Sequence, residues 1–117
     1  MNFAGFLKEK RQERGKTLRG LAEEIGIAPS YLSDIEKEKR NAPTLDILEK
    51  IIKVLELSEE EINLFNDLAA KNKNQIANDI TDYVANNQNV RVALRKAKEL
   101  NFSDSEWLKI IEEMERK

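Results

Sequence analysis

The side chains available for chemistry in this chain are carboxylates, amines, guanidinium groups and hydroxyls, because its 117 residues include no cysteine and no histidine. Their absence removes disulfides, the usual zinc ligands, thiol nucleophiles and imidazole bases. The carboxylates of Glu59, Glu60 and Glu61 could bind Mg²⁺ or Ca²⁺. They follow Ser58 at a predicted helix start, however, where acidic side chains complement the helix dipole. We therefore predict no catalytic residue, no metal and no cofactor, and a chain that is not an enzyme.

Lysine and arginine are the remaining candidates for a ligand site, and the ligand that suits them is phosphate. The net charge of −2 argues weakly against DNA, because nucleic-acid binding normally needs a basic surface. The charge is uneven, however: residues 1–57 contain 11 Lys and Arg against 10 Asp and Glu, and the remaining residues contain 9 against 12. A DNA-binding surface therefore requires basic residues concentrated on one face of the first half.

The composition indicates an all-α protein. Charged residues make up 36% and hydrophobic ones 40%, with 6% aromatics, four glycines and two prolines, which favours helices over strands or disorder. The length suits one ordinary domain, or a small domain of about 60 residues with a short accessory one. No apolar run is long enough to cross a bilayer and no signal peptide is evident, so we expect a cytoplasmic protein.

Apolar spacing and capping residues predict five helices in the first half. The first runs from about Asn2 to Arg14, the second from the N-cap Thr17 to before Gly26, and the third from Pro29 to about Lys37. The fourth follows the N-cap Thr44 and has Leu45, Leu48, Ile52 and Leu55 on one face. The fifth follows the capping box Ser58–Glu61.

The polar stretch Lys71–Gln75 has no apolar spacing and indicates a linker or a frayed helix end. It separates a predicted domain at residues 1–70 from a helical segment at residues 76–117. Three more helices are predicted in that segment from their apolar residues. The first contains Ile76, Ile80, Tyr83 and Val84, and the second contains Val90, Leu94 and Ala97. The third follows the N-cap Ser103 and contains Trp107, Ile110, Ile111 and Met114.

The most informative stretch is LRGLAEEIGIAPSYLSDI, residues 18–35. Two short helices that cross near a right angle need a small residue where they touch, a turn residue that takes positive φ, and apolar positions that lock the corner. Ala22 is the small residue and Gly26 the turn. The apolar set is Leu21, Ile25, Ile27, Leu32 and Ile35.

With these residues the chain resembles the helix-turn-helix (XRE) family of the phage repressors and Cro proteins, over about Phe3 to Phe65. The resemblance includes the flank IEKEKRNAPTLDILEKI and implies a five-helix lambda-repressor-like DNA-binding domain; a generic four- or five-helix bundle is the alternative. The chain departs from the family at Glu38, where glycine is frequent, and at Leu18, where glutamine is frequent.

The resemblance implies that the third helix lies in the major groove with its first residues against base edges, and that the second points its amino terminus at a phosphate. The matching base-reading positions are Pro29, Ser30, Tyr31 and Asp34. Ser30 can donate or accept, Tyr31 can contact a thymine methyl or a phosphate, and Asp34 can accept from a cytosine amino group. The alternatives are that Tyr31 only covers the helix corner and that Asp34 is only solvated.

Phosphate contacts are expected on both sides of that helix. The candidate residues are Lys16, Thr17, Arg19, Lys37, Lys39, Arg40 and Asn41. Because these residues cluster around one helix, the net charge of −2 does not exclude a basic DNA-binding surface. A run of solvated charges would give a similar sequence pattern. The resemblance also implies that Glu36 points back to Arg11 and ties two helices together as a structural ion pair beneath the DNA surface.

A single helix-turn-helix reads few base pairs, so family members bind as two-fold dimers. We therefore interpret residues 76–117 as a dimerisation and regulatory segment; the alternative is a cap on the chain's own core. The stretch VRVALRKAKELNFSDSEWLKIIEEMER is also similar to the last helices of repressors from mobile elements and damage responses, some of which a metalloprotease inactivates.

The sequence thus predicts a dimeric repressor that binds double-stranded operator DNA, of a mobile element or a small regulon. One alternative is an antitoxin whose second half binds a toxin protein. Another is a helical adaptor without DNA affinity. No small-molecule substrate and no membrane partner are predicted.

Overall fold

A computed structural model describes residues 1–117 and contains eight helices and no strand, which confirms the all-α prediction. The chain divides into two compact units, Met1–Ala77 and Asn78–Lys117. The first holds α1 (Phe3–Glu13), α2 (Leu18–Ile25), α3 (Pro29–Glu36), α4 (Leu45–Val54) and α5 (Glu59–Asn72); the second holds α6 (Asn78–Ala85), α7 (Gln88–Glu99) and α8 (Asp104–Glu115). None of these helices is long and apolar enough to span a membrane.

Side-chain caps start most helices of the first unit, because the first amides of a helix have no partner within it. The Asn2 side chain accepts from the Gly5 amide at 2.8 Å, and the Thr17 hydroxyl from the Gly20 amide at 2.9 Å. The capping box at Ser58 is complete. Pro29 stands in the first turn of α3 as predicted. Thr44 has the extended backbone of an N-cap, but its side chain makes no capping bond.

Residues in the left-handed conformation follow six of the eight helices. Glycine takes this conformation after α1, at Gly15 with φ 67°, and after α2, at Gly26 with φ 77°. Non-glycine residues take it after α3, α4, α5 and α7, where they are Glu38, Glu56, Asn74 and Asn101. After α3, the Glu38 amide bonds the Ile35 carbonyl and the Lys39 amide bonds the Asp34 carbonyl at 2.8 Å. This is the Schellman arrangement, which stops a helix sharply.

The core of the first unit lies around Phe65 of α5, whose ring contacts those of Phe3 and Phe6 at centroid distances of 5.1 and 6.0 Å. Its other fully buried large side chains come from α1 to α4 and are Leu7, Leu21, Ile25, Leu32, Ile35, Ile51 and Leu55. The predicted face of α4 is partly confirmed, because Leu48 and Leu55 are buried. Leu45, the first residue of α4, is 48% exposed, and Ile51 rather than Ile52 is the fully buried residue.

The second unit has almost no interior of its own. Ala97 of α7 is its single buried residue, at 5% exposure. Phe102 and Trp107 pack edge to face with ring centroids 5.4 Å apart. Large apolar side chains stay exposed on all three helices and just after α7: Ile80, Tyr83, Val92, Leu94, Leu100, Leu108, Ile111 and Met114. The second unit therefore carries apolar surface that its own helices do not cover.

A buried ion pair joins α1 to α3. Arg11 Nε donates to one carboxylate oxygen of Glu36 at 2.8 Å and Nη2 to the other at 2.9 Å, while Nη1 donates to the Lys16 carbonyl at 3.0 Å. The two side chains are only 11% and 5% exposed. The carboxylate hydrogen bonds raise the pKa of Arg11 above its usual value. The pair fixes α3 against α1 and the turn that precedes α2.

Glu61 makes the second link to α1. Its carboxylate lies 2.8 Å from Lys10 Nζ and 3.3 Å from Arg14 Nη2, and accepts from the Ser58 amide at 2.9 Å. The Lys10 hydrogen bond, followed by that of the Ser58 backbone, lowers the pKa of Glu61 from 4.5 to about 2. The same contact, with that of Glu13, raises the pKa of Lys10.

We predict that Glu36→Ala lowers the free energy of unfolding by about 3 kcal/mol, because it leaves the Arg11 guanidinium buried without its counter-charge. Urea denaturation of both single variants and the double variant Arg11→Ala/Glu36→Ala measures the coupling. Glu24→Ala is the control, since Glu24 pairs with Lys16 at the surface, where an ion pair contributes less than about 1 kcal/mol. A coupling energy near zero would reject the buried pair.

A second prediction concerns acid stability. Because the folded-state pKa of Glu61 lies below its unfolded value, its stabilising effect is complete above about pH 4.5 and is lost as pH falls towards 2. Glu61→Gln should be less stable than wild type at pH 7, with a difference that shrinks through this window. Glu60→Gln, at an exposed neighbour without an ion pair, should follow wild type. A wild-type advantage independent of pH from 5 to 2 would contradict the assignment.

Candidate nucleic-acid interface

The corner between α2 and α3 positions the candidate interface. Ala22 is fully buried, so no bulky side chain separates the two helices. Gly26 reverses the chain at φ 77°, a conformation that L side chains rarely adopt. The Ile27 amide then bonds the Ala22 carbonyl at 3.0 Å. Leu32 and Ile35 are buried, which fixes the rotation of α3 about its axis.

This rotation leaves one face of α3 open. Ser30 is exposed and Asp34 is half-buried, and four residues apart they lie on the same side of the helix. Neither side chain makes a hydrogen bond or ion pair within the chain, so both can bind an external partner. Pro29 and Tyr31, half-buried, stand beside them in the first turn. Pro29, Ser30 and Tyr31 therefore lie in the first turn of α3, and Asp34 lies one turn further along the helix.

The structure brings together two candidates that the sequence assigned to different tasks. The Arg40 guanidinium lies over the Tyr31 ring, 5.7 Å from its centroid, within the range of a cation–π contact. Arg40 itself is exposed, on the loop between α3 and α4. The Tyr31 ring therefore covers part of the corner and also contacts a basic side chain of the loop.

The three candidates at the start of α2 differ in their availability. Lys16 Nζ donates to both carboxylate oxygens of Glu24, at 2.9 and 3.2 Å, so its charge is partly neutralised. The Thr17 oxygen accepts from the Gly20 amide, and a Cβ at Gly20 would lie 2.9 Å from it, too close without movement of the cap. Arg19 is exposed and has no acidic partner in the chain. Arg19 is thus the free cation of this group.

The loop after α3 presents the other group. Lys37, Lys39, Arg40 and Asn41 are all exposed, and none of the three basic side chains pairs with a carboxylate. Glu38, among them, has φ 63°, which explains why the resembled family often has glycine at this position. Its carboxylate accepts from the Asn2 side-chain amide at 2.6 Å, which links the loop to the start of α1.

Sequence reasoning missed two residues that hold this loop. The stretch Lys71–Gln75, for which the sequence predicts a linker or a frayed helix end, contains the end of α5: the helix continues to Asn72 and closes with Asn74 at φ 56°. The Asn72 side-chain oxygen accepts from the Ala42 amide at 2.7 Å, and Lys73 Nζ donates to the Pro43 carbonyl at 3.1 Å. Asn74 was a usable signal, because asparagine tolerates the left-handed helix end.

The acidic side chains form no competing site. No group of three or more carboxylates in the chain is arranged to hold a metal ion. Two of the three consecutive glutamates at the start of α5 are exposed, and the third, Glu61, is bound by Lys10, Arg14 and Ser58.

Comparison with known proteins agrees with this geometry. The family model described as helix-turn-helix matches residues 7–62, which include α1 to α4 almost completely and the start of α5. Two relatives named HTH-type transcriptional regulator SinR, from Bacillus subtilis (strain 168) and Bacillus licheniformis, are each 44% identical over 52 residues, or 44% of this chain and 47% of theirs. The match thus spans about half the length of these relatives.

A solved structure described as a SinR protein/SinI protein complex aligns with 97% of this chain and 94% of that chain, at 23% identity and a TM-score of 0.47. The family match includes the α2–α3 corner. Residues 7–62, which are 56 of the 117 residues, are therefore similar to the helix-turn-helix family.

Proposed function

We propose that this chain is a sequence-specific DNA-binding transcriptional regulator, a dimeric repressor that reads the major groove with α3. The observation that carries the proposal is the open face of α3, where Ser30 and Asp34 have no partner in the chain and unpaired basic side chains flank the helix in sequence. The relatives that match this domain are named transcriptional regulators, which supports the same function.

Base reading is proposed for the open face of α3. The side chains of Ser30 and Asp34 are short, so they reach base edges only if the backbone comes close to the groove. Pro29 permits that approach, because it starts the helix without an orphan amide. A carboxylate near phosphates is repelled unless a donor faces it, and the cytosine amino group is such a donor in the major groove. Asp34 would therefore select cytosine at one operator position.

Phosphate binding is proposed for the basic side chains that have no acidic partner, namely Arg19, Lys37, Lys39 and Arg40. Asn41 and the Thr17 hydroxyl would add neutral hydrogen bonds. Lys16 would have to exchange Glu24 for a phosphate, so its net contribution should be smaller. Such contacts add affinity without base information and make binding depend on salt.

Dimerisation is proposed for the second unit, with a second copy of the chain as its partner. A compact unit with Ala97 as its single buried residue lacks the interior that normally stabilises packed helices. Its exposed apolar side chains supply the missing contact surface. The charges also suit self-association: α7 contains four basic residues and one acidic residue, while α8 contains five acidic residues and one lysine.

The test of DNA reading begins with an operator selected by the wild-type chain from a random DNA pool. Asp34→Ala should cost about 1–3 kcal/mol on the preferred base at one position and leave other bases there bound equally well or better. Arg19→Ala should instead weaken all sequences alike and reduce the slope of log K against log salt by about one.

Asp67→Ala serves as the matched control, because it removes an exposed carboxylate from α5 outside the proposed interface. It should change neither the base preference nor the salt slope. If Asp34→Ala retains the full wild-type preference in base-by-base competition, Asp34 is solvated and does not read DNA.

Dimer formation is tested on full-length protein by light scattering. Wild type should have the mass of two chains at micromolar concentration. Ile111→Asp should shift the mass towards one chain, because burying an unpaired carboxylate in an apolar interface is unfavourable. Asn63→Asp introduces the same charge on α5 of the first unit and should stay dimeric. A monomeric wild type would reject the proposed dimer, and a fully dimeric Ile111→Asp variant with native helix content would place the interface elsewhere.

A further inference from the structure

The loop that carries three of the proposed phosphate-binding cations is held from the far end of the first unit. Its Ala42 amide is buried, with the residue 5% exposed, and donates to the Asn72 side chain at 2.7 Å. A buried amide without a partner is unfavourable. No backbone carbonyl accepts from this amide, so Asn72 alone satisfies it.

The neighbouring residues make the attachment two-sided. Lys73 Nζ donates to the Pro43 carbonyl at 3.1 Å, so consecutive residues at the end of α5 bind consecutive residues of the loop. Two adjacent bonds fix both where the loop lies along α5 and how far the loop is from that helix. The Pro43 ring adds a fixed φ at the same place.

The opposite end of the loop is also anchored. Glu38 and Lys39 close α3 through backbone bonds, and the Glu38 carboxylate accepts from Asn2 at 2.6 Å. Between these anchors only Arg40 and Asn41 remain without a bond to another helix. A loop held at both ends loses little conformational entropy when it meets a ligand, which favours binding.

We propose that Asn72 and Lys73 are positioning residues, which hold the loop 37–44 in the conformation that presents its basic side chains to the DNA backbone. This inference rests on the proposed function. Lys73 acts here through the Pro43 carbonyl, and Asn72 through the Ala42 amide. Neither residue needs to touch DNA.

The end of α5 is also close in sequence to the second unit. Asn74 closes the helix, the Gln75 amide bonds the Ala70 carbonyl at 2.8 Å, and the second unit starts at Asn78. The residues that hold the DNA-facing loop therefore immediately precede the junction of the two units. The affinity of the loop for DNA then depends on how α5 ends, and not only on the helix-turn-helix itself.

Asn72→Ala in the full-length chain tests the proposal with two measurements. Hydrogen exchange of the Ala42 amide, measured without DNA, should accelerate about tenfold or more, because the amide loses its acceptor. Affinity for the selected operator should fall by about fivefold to tenfold, the size expected from the loss of one such bond. Asn63→Ala, at an exposed asparagine of α5 without a hydrogen bond to the loop, should change neither quantity.

Asn72→Asp separates positioning from direct DNA contact. Aspartate still accepts from the Ala42 amide but cannot donate to a phosphate, and its charge repels one. If Asn72 positions the loop, the Asp variant keeps the Ala42 amide protected and binds DNA better than the Ala variant does. If Asn72 contacts phosphate directly, the Asp variant binds more weakly than the Ala variant, which would overturn the proposal.

Lys73 is tested with Lys73→Met. A positioning role predicts faster exchange at Ala42, because the loop loosens where its second bond is lost. Weaker DNA binding with unchanged exchange would instead identify a direct phosphate contact and overturn the role.

Two further results decide the outcome. Asn72→Ala with fast exchange and wild-type operator affinity would show that the contact does not control binding, which overturns the proposal. A wild type without sequence-preferring DNA binding would reject the proposed function and the positioning role with it, whereas the exchange measurement would still report the contact itself. The helix content of every variant is checked by circular dichroism.

Discussion

The Arg11 guanidinium of α1 binds two partners, the Glu36 side chain and the Lys16 backbone. Two of its nitrogens bind the Glu36 carboxylate at the end of α3, and the third binds the Lys16 carbonyl just before α2. A buried charge is tolerated only when it is paired and fully hydrogen-bonded, so these partners cannot move apart without a large cost. The arrangement therefore fixes both helices of the corner to α1. The positions of the side chains on the open face of α3 therefore depend on the bonds that Arg11 makes.

The two units of the chain differ in how much of their apolar surface they bury. The first encloses a core around Phe65, with further buried side chains from α1 to α4. The second keeps most of its large apolar side chains exposed and buries only Ala97. A domain whose core is complete can present polar residues such as Ser30 and Asp34 outward, because its stability does not require an external surface. The second unit carries the opposite requirement, because its exposed apolar side chains need a surface outside the unit to cover them.

Local features of the structure were predictable from sequence because they depend on neighbouring residues. The caps at Thr17 and Ser58 and the turn at Gly26 follow from the hydrogen-bonding capacity and backbone freedom of single residues. Contacts between residues distant in sequence do not follow from periodicity or capping, and the Arg11–Glu36 pair could be expected only from the family resemblance. Periodicity alone could not show that the first turn of α4 is uncovered at Leu45, or that Asn72 reaches across the domain to the Ala42 amide.

In the proposed DNA-binding site, too, contacts between residues distant in sequence could not be predicted. The candidate residues could be named from the resemblance to the helix-turn-helix family, but their partners could not. Lys16 is partly neutralised by Glu24, and Arg40 lies over the Tyr31 ring. Both contacts join side chains that are eight or more residues apart in sequence, so neither the charge pattern nor the helix period indicated them. Availability for a ligand is a property of the folded surface, and only the structure could rank the candidates.

Glu38 illustrates how a backbone constraint can restrict substitution at a second position. Its φ of 63° is one that glycine adopts at lower cost, yet a glycine would have no carboxylate for the Asn2 amide to bind. The same Asn2 side chain caps α1 through its oxygen, so an alternative cap such as serine would lose the amide donor. The two positions therefore constrain each other: a glycine at residue 38 would leave only the capping of α1 as a reason for asparagine at residue 2, and serine can also cap a helix. In related chains, the residues at these two sites should covary.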